Sequence, residues 1–253
     1  MTSYTREEIR GIALVGRMVA REGKRDELLH VLDEAIAVCS QHEPDGALTA
    51  IFHTSPTDPD LVVLYEHYPG RASLEFHRAN YERIPAYGEL RARMNELLAA
   101  PVEIVEVGRA VARWTRTVPG LREASASSYA RYRREEVEGI AFVARFPARP
   151  GKGQELLAVL EEAVPPQAAY EADPALVMDF ATSAASPDTI LFYKHYPTVA
   201  SRDEHTANGQ DLPAYRDRRL RMNALLAAPT EIVEQMTPVV RFTRTPKTEE
   251  KDQ

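Results

Sequence analysis

The sequence has little of several residue types that mark particular protein classes. Cysteine occurs once in 253 residues, at Cys39, which excludes an internal disulfide and favours a reducing cytoplasm as the setting. Positive charge is also scarce, since 31 Lys and Arg stand against 38 Asp and Glu, for a formal net charge of -7. Because nucleic-acid binding needs clustered cations that displace counterions, this balance argues against a nucleic-acid partner.

Long apolar runs and metal-binding patterns are missing as well. The first residues, MTSYTREEIRG, carry charges and lack the apolar stretch of a signal peptide, and no segment approaches the length of a membrane span. The sequence contains no His-x-His, no cysteine pair and no His-Glu-x-x-His. We therefore expect a cytoplasmic protein with no bound metal, no nucleic-acid partner and no membrane partner.

What the sequence does have is an internal repeat. RMNELLAAPVEIVE at 93–106 returns as RMNALLAAPTEIVE at 221–234, and the same spacing relates Trp114 to Phe242. The match needs no gap over most of the chain, which indicates two copies of one small domain. We predict these units: a first domain at 1–118, a small and polar linker at 119–131, a second domain at 132–246 and a disordered tail at 247–253.

Each copy predicts the same order of elements: strand, helix, strand, strand, helix, strand. In the first copy, IALVGRMVA at 12–20 has the small and β-branched residues of a strand. KRDELLHVLDEAIAVC at 24–39 carries an apolar stripe at helical spacing. Further on, Pro69 ends a strand, Pro85 interrupts a helix and Pro101 stops that helix before a long last strand.

This order is the ferredoxin-like α+β arrangement, an antiparallel sheet with helices on one face. The first strand is apolar on both sides, so an open second face would expose apolar surface to water. We therefore predict two βαββαβ repeats packed sheet to sheet within one chain, with the long last strands crossing to the other half. Between the sheets we expect an apolar chamber. Such a pseudo-dimer leaves its outer helix faces free for further pairing with a second chain.

Three segments of each copy resemble the antibiotic biosynthesis monooxygenase family, whose subunits form dimeric α+β barrels. In the first copy they are LVVLYEHY at 61–68, the helix with His77, and LLAAPVEIVE at 97–106. The second copy repeats them as TILFYKHY, the helix with His205, and LLAAPTEIVE. The resemblance identifies a tandem, single-chain form of the family fold.

The resemblance implies oxygen insertion into a small aromatic substrate by O₂, without flavin, haem or metal. A deprotonated quinol or anthrone can itself pass an electron to O₂, a step that a cofactor normally carries. The protein would supply an apolar cavity, a group that takes the proton and donors that hold the anion.

The candidate catalytic residues are histidines. His77 and His205 hold the family's His position in mid-helix, with Asn80 and Asn208 on the same helix face. A histidine there could act as a base or orient a phenol, since it titrates near neutral pH, or it could bond a backbone carbonyl.

A second pair of histidines, His67 and His195, shares a strand face with Tyr65 and Tyr193. If that face lines the chamber, a histidine and a phenol converge on the substrate. If it faces the helices, these are amphipathic core residues. Because side chains alternate along a strand, the sequence shows that these residues share one face but not which face it is.

Five further residues are substrate-binding candidates. Arg17 and Arg145 interrupt apolar first strands, and each either reaches water at the strand end or steadies an oxyanion. Trp114 is either a core anchor or a platform for the substrate. Tyr87 and Tyr215 follow the helix histidines by ten residues, where haem-degrading relatives, as we align them, carry an iron-binding histidine.

The copies also differ at positions that bear on chemistry, among them Glu66 against Lys194 and His53 against Ala181. A fused pair can specialise one of its sites, so we predict that one cavity is the better catalyst. The leading function is a cofactor-independent monooxygenase acting on a quinol or anthrone. The alternatives are a non-catalytic binder or sensor of an apolar small molecule, and a flavin-assisted, lyase-type or haem-degrading relative.

Overall fold

The computed structural model describes residues 2–117, 127–129 and 131–245. The first half comprises β1 (Ser3–Glu8), β2 (Ile12–Val19), α1 (Arg25–His42), β3 (Thr49–Thr54), β4 (Leu61–Tyr68), α2 (Arg71–Arg83), α3 (Pro85–Leu97) and β5 (Glu103–Thr117). The second half comprises β6 (Ser127–Tyr129), β7 (Tyr132–Glu136), β8 (Ile140–Pro147), α4 (Gly153–Glu161), α5 (Val164–Tyr170), β9 (Val177–Ser183), β10 (Thr189–Tyr196), α6 (Val199–Asp211), α7 (Pro213–Leu225) and β11 (Glu231–Arg244). Both halves therefore contain the predicted βαββαβ order.

Strands of both halves close into one ring, in the order β3-β4-β2-β5-β9-β10-β8-β11 and back to β3. The two seams of the ring join the halves, since β5 pairs with β9 and β11 pairs with β3. Each long strand first pairs inside its own half, β5 with β2 and β11 with β8, and then continues into the other half. The predicted crossing of the last strands and the intramolecular α+β barrel are confirmed.

Short strands precede the repeat in each half and were not predicted. β1 pairs with the end of β5, and β7 pairs with the end of β11. Their sequences, SYTREE and YRREE, are rich in charge, which hides strand alternation and is typical of strands at the edge of a sheet.

The predicted linker contains a strand, because β6 pairs with β7. Residues 119–126 and 130 of that linker, and the predicted tail at 247–253, lie outside the described residues.

One glycine in each half fixes the backbone at the start of the repeat. Gly11 and Gly139 have φ angles of 118° and 115°, a region that favours glycine. A Cβ atom on them would lie 1.9 and 2.1 Å from the carbonyl oxygens of Tyr68 and Tyr196. The backbone therefore passes close to the end of the neighbouring strand at a position where only glycine fits.

Side chains from both halves fill the interior of the ring. The following buried apolar residues form this core: Ala13, Val15, Ile51, Leu61, Val63, Tyr65, Ala141, Val143, Val177, Ala181, Leu191, Tyr193 and Met236. The space among them is about 20 Å³, which is enough for one water molecule. The predicted apolar chamber inside the barrel is therefore wrong. The two sheets do cover each other, but their side chains pack directly against one another.

The helices cover the outer face of each half-sheet, and the crossing strands anchor there. Phe242 on β11 is fully buried in the core of the first half, with its ring 5.8 Å from that of Phe52. Its counterpart Trp114 on β5 packs against the core of the second half and donates from Nε1 to Glu161 Oε2 at 3.3 Å. Trp114 is thus an anchor between the halves. None of the described helices has the length and apolarity needed to cross a membrane.

Candidate active site: two unlike cavities between sheet and helices

Each half has a cavity between the outer face of its sheet and its helices. The first cavity has a volume of about 360 Å³, which suits a small aromatic molecule. Most of its wall is apolar, formed by Leu14, Met18, Leu32, Ile36, Phe52, Leu64, Leu74, Met94 and Ile104. The ionisable and polar groups in the wall are Cys39, Glu43, Glu66, Tyr68, His77, Arg78, Tyr81, Arg91 and Tyr132.

Glu66 on β4 is an acid within this apolar wall. Only 9% of it is exposed, and its Oε1 accepts a hydrogen bond from the Tyr68 hydroxyl at 3.1 Å. Burial raises the pKa of the Glu66 carboxyl group above its ordinary value. A carboxyl group shifted in this direction can exchange a proton with a substrate closer to neutral pH than an exposed glutamate can.

His77 on α2 also lines the first cavity, and Glu43 holds it in place. The Nδ1 atom of His77 lies 2.9 Å from Glu43 Oε1. Burial alone would lower the pKa of His77, but its contacts with Cys39 and with the Glu43 carboxylate outweigh this and raise that pKa well above its usual value. This shift favours the protonated imidazole, whose Nδ1 donates to Glu43.

Glu43, just beyond the end of α1, organises three of the predicted site residues. It is 1% exposed and accepts hydrogen bonds from His77, from Asn80 Nδ2 at 3.1 Å, and from the Tyr87 hydroxyl. Burial raises the pKa of Glu43, but these hydrogen bonds outweigh it, so the net direction is downward. Sequence reasoning missed Glu43, although an acid stands at the same place in both copies, as Glu43 and Glu171.

A group of metal-binding atom types is present in the first cavity. Among the described residues, Cys39, Glu43 and His77 each offer one ligand atom, and these atoms lie within 4.8 Å of one another. Zinc uses such ligands. However, the Glu43 carboxylate already accepts three hydrogen bonds, and burial raises the pKa of the Cys39 thiol, which opposes the thiolate form that a metal needs. The geometry fits a hydrogen-bonded cluster better than a metal centre.

The second cavity is smaller, about 200 Å³, and more aromatic. Its apolar wall includes Phe146, Val159, Leu160, Val164, Phe180, Phe192 and Met222. Lys194 on β10 stands at the position of Glu66, with 2% exposure. Its Nζ lies 3.2 Å from His205 Nε2 and 4.6 Å from the ring centre of Tyr196. Burial lowers the pKa of Lys194 to about 7.

His205 has an acid partner equivalent to that of His77, but its pKa shifts in the opposite direction. Its Nδ1 lies 2.6 Å from Glu171 Oε1, which also accepts from the Tyr215 hydroxyl at 2.8 Å. Burial, followed by the charge of Lys194, lowers the pKa of His205. Asn208 donates instead to the Tyr170 carbonyl oxygen, at 3.3 Å. A neutral His205 therefore donates to Glu171 from Nδ1 and leaves Nε2 to accept from Lys194.

The strand tyrosines and one strand acid meet inside the barrel instead of in either cavity. Tyr65 and Tyr193 stack with ring centres 4.4 Å apart. The Tyr65 hydroxyl donates to Asp179 Oδ2 at 2.8 Å, and Arg113 donates to both oxygens of the same carboxylate, each at 2.7 Å. The face that these tyrosines share is therefore part of the packed core between the halves.

The strand histidines bond backbone carbonyls. His67 Nε2 lies 2.8 Å from the Arg10 oxygen, and His195 Nε2 lies 2.7 Å from the Glu138 oxygen. Burial, aided by the charge of Arg241, lowers the pKa of His195 to about 4. Both histidines fix the entry to the first strand of their half, and neither lines a helix–sheet cavity.

The first-strand arginines join the two halves. Arg17 Nε lies 3.2 Å from Glu234 Oε2 on the last strand of the other half. Arg145 contacts Glu106 of the other half and Glu231 of its own. The acids that these arginines reach range from the buried Glu106 to the exposed Glu231, and neither arginine lines a helix–sheet cavity.

Residues 11–92 match the sequence model of a family described as antibiotic biosynthesis monooxygenase. The chain belongs to the antibiotic biosynthesis monooxygenase family. A solved structure from Mycobacterium tuberculosis, Rv0793, is 32% identical to this chain, with a match covering 45% of this chain and 98% of that one, at a TM-score of 0.30. No curated protein matches the chain significantly.

Two solved structures align with both halves of this tandem member of the family. A candidate monooxygenase from Lactobacillus acidophilus is 11% identical, with 92% of this chain and 95% of that chain covered, at a TM-score of 0.60. An anthrone oxidase-like protein is 12% identical, with 95% and 96% covered, at a TM-score of 0.52. At these identities the likeness establishes a shared fold over nearly the whole chain.

Proposed function

We propose that the first cavity is the active site of a monooxygenase that inserts oxygen into an electron-rich aromatic of the quinol or anthrone type, without flavin, haem or metal. The observation that carries this proposal is that a buried acid, Glu66, and an imidazole of raised pKa, His77, lie in the wall of one apolar cavity. Family membership, and neighbours named as a candidate monooxygenase and an anthrone oxidase-like protein, support the reaction class.

The first step removes a proton from the bound substrate. Glu66 is the base, because its raised pKa brings the carboxylate closer to the acidity of an activated phenol or anthrone than an exposed glutamate would be. His77 lies in the same cavity wall and carries a positive charge, which stabilises the substrate anion. The apolar wall strengthens that interaction because it keeps water away from both charges.

The substrate then supplies all the electrons. Its anion passes one electron to O₂, and the resulting radical and superoxide combine to a peroxide that takes up a proton. In an anthrone, loss of the remaining C–H proton breaks the O–O bond and leaves a ketone. The CH₂ carbon thus gains one oxygen atom, and the second oxygen leaves as water with the two hydrogens, so no external reductant is needed.

The second cavity lacks this arrangement. Lys194 stands where the base would be, and His205 is neutral, so neither the carboxylate nor the imidazole cation of the first cavity has an equivalent. We therefore assign oxygen insertion to the first half alone, which is the specialisation that the unequal copies suggested.

Oxygen uptake by the chelator-treated full chain, with a panel of hydroquinones and anthrones, tests the proposal. We expect turnover, and we expect Glu66→Gln to lower kcat by about 10²- to 10⁴-fold, the usual contribution of a general base. Glu89→Gln is the control, because Glu89 is an exposed acid on α3 that lines neither cavity.

Three results would count against the proposal: full activity in Glu66→Gln, turnover that requires added flavin, or tight binding of the aromatics with no oxygen uptake. The last of these would favour a binding protein instead.

A further inference from the structure

The second cavity holds a lysine whose surroundings are those of a nucleophile. Lys194 is one of five lysines in the chain and is 2% exposed. Its amine lies at an apolar cavity wall, between the His205 ring at 3.2 Å and the Tyr196 ring at 4.6 Å. Desolvation of this kind favours the neutral amine, which has a free electron pair.

The neighbours of Lys194 form a relay. The Nε2 atom of His205 faces the amine, and its Nδ1 lies 2.6 Å from the Glu171 carboxylate. The Tyr215 hydroxyl donates to the same oxygen at 2.8 Å and so fixes the acid. Nucleophile, base and orienting acid are thus in hydrogen-bond contact in that order, the arrangement that activates nucleophiles in unrelated enzymes.

We propose that Lys194 is the nucleophile of a second reactive centre, which binds an apolar aldehyde or ketone in the second cavity and holds it as an imine. The amine attacks the carbonyl carbon, and the C=O electron pair moves to oxygen. His205 carries a proton from nitrogen to that oxygen, which gives a carbinolamine. Loss of water then forms the C=N bond, so the carbonyl oxygen leaves with two hydrogens from the lysine and no oxidant or reductant is consumed.

The cavity fits a carbonyl compound with a small apolar body. Its volume of about 200 Å³ and its Phe146, Phe180 and Phe192 walls suit a single aromatic ring. Burial lowers the pKa of Lys194 to about 7, so about half of the amine is neutral at that pH. An exposed lysine is almost entirely charged there and reacts slowly.

This centre uses residues of the second half only and does not need oxygen. It goes beyond the proposed oxygenase activity, and either proposal can be wrong while the other holds.

Reductive trapping tests the centre. The full chain is incubated with benzaldehyde near pH 7, reduced with borohydride and mapped by peptide mass spectrometry. Lys24 and Lys152 are internal controls, because both are exposed lysines at equivalent positions of the two copies, each paired with a glutamate three residues on. We expect Lys194 to be labelled at least about 30-fold faster than either, because an ordinary exposed lysine has on the order of 10³-fold less neutral amine at pH 7.

Variants separate the roles in the relay. His205→Gln should slow labelling of Lys194 by about 10-fold or more while leaving Lys24 and Lys152 unaffected. Lys194→Arg keeps the charge and should give no adduct in the cavity. Labelling of Lys194 no faster than that of the exposed lysines would overturn the proposal, and so would saturable binding of benzoate to a protein that forms no benzaldehyde adduct. The comparison of lysines in the unaltered chain holds even if a variant fails to fold.

Discussion

The two cavities occupy the same place in two copies of one fold, yet the buried group on the third repeat strand is an acid in one and an amine in the other. Burial acts on both in the direction that favours the neutral form, since it raises the pKa of Glu66 and lowers that of Lys194. A homodimer would present two identical groups at this position. Fusion of the copies allows two different proton-transfer sites to share one barrel.

The surrounding frame is the same in both halves, so the difference has a clear origin. A helix histidine, a tyrosine hydroxyl and a buried glutamate contact one another in each half, as His77, Tyr87 and Glu43 in the first and their counterparts in the second. Contacts with Cys39 and Glu43 raise the pKa of His77, whereas burial and Lys194 lower the pKa of His205. The exchange of Glu66 for Lys194, with that of Cys39 for Gln167, therefore goes with opposite shifts in the pKa of the helix histidine.

The largest expected change in the free energy of unfolding comes from a position where the halves differ inside the barrel. Asp179 is 3% exposed and paired with Arg113, whereas the equivalent Arg241 contacts only a neutral imidazole, with Nη2 3.1 Å from His195 Nδ1. Arg113→Met leaves a buried carboxylate without its partner and should lower the free energy of unfolding by about 3–5 kcal/mol. Arg241→Met should cost about 1 kcal/mol, as for one hydrogen bond. Urea denaturation of both variants measures the difference, and equal losses would show that the barrel core is symmetric.

A somewhat smaller change in the free energy of unfolding is expected when Lys194, in the second cavity, is replaced. The folded-state pKa of Lys194 is about 7, below the value near 10.4 of an exposed lysine. Between these values the unfolded chain binds more protons, so this residue makes stability rise with pH. Lys194→Met should therefore stabilise the protein on the order of 3 kcal/mol near pH 7, with a gain that shrinks toward about pH 10.

Glu66→Gln should show the reverse trend. The pKa of Glu66 is raised by burial, so above the ordinary value of a glutamate the folded state keeps a proton that the unfolded chain releases. Stability from this group is lost as pH rises, and the stabilising effect of Glu66→Gln should grow with pH. Parallel pH trends in the two variants would contradict the opposite roles given to these residues.

The sequence predicted the fold well because the repeat and the two-sided apolar strands leave few other ways to bury both faces. It also named His77, Asn80 and Tyr87 as separate candidates, but it did not predict that one acid joins them. Glu43, which joins them, was missed because a loop brings it to the helix. The edge strands β1 and β7 were missed because their charges obscure the strand pattern.

The position of the cavity was predicted wrongly for a packing reason. Alternation of apolar residues shows that both faces of the sheet are covered, but not which face packs fully. Between the sheets, large side chains such as Tyr65, Tyr193 and Leu191 meet and fill the space. Between sheet and helices, small residues such as Gly16 and Ala35 line the gap. Which of the two faces leaves a cavity depends on the volumes of side chains that meet only in the folded structure.

The most direct test of the central claim, that the two copies have become unlike and only the first takes the aromatic substrate, is a calorimetric titration with a quinone product analogue. Ala35 and Ala163 are equivalent residues that line the first and the second cavity. We expect one binding site per chain, lost in Ala35→Trp and retained in Ala163→Trp. Two equal sites, or a single site lost only in Ala163→Trp, would contradict the account.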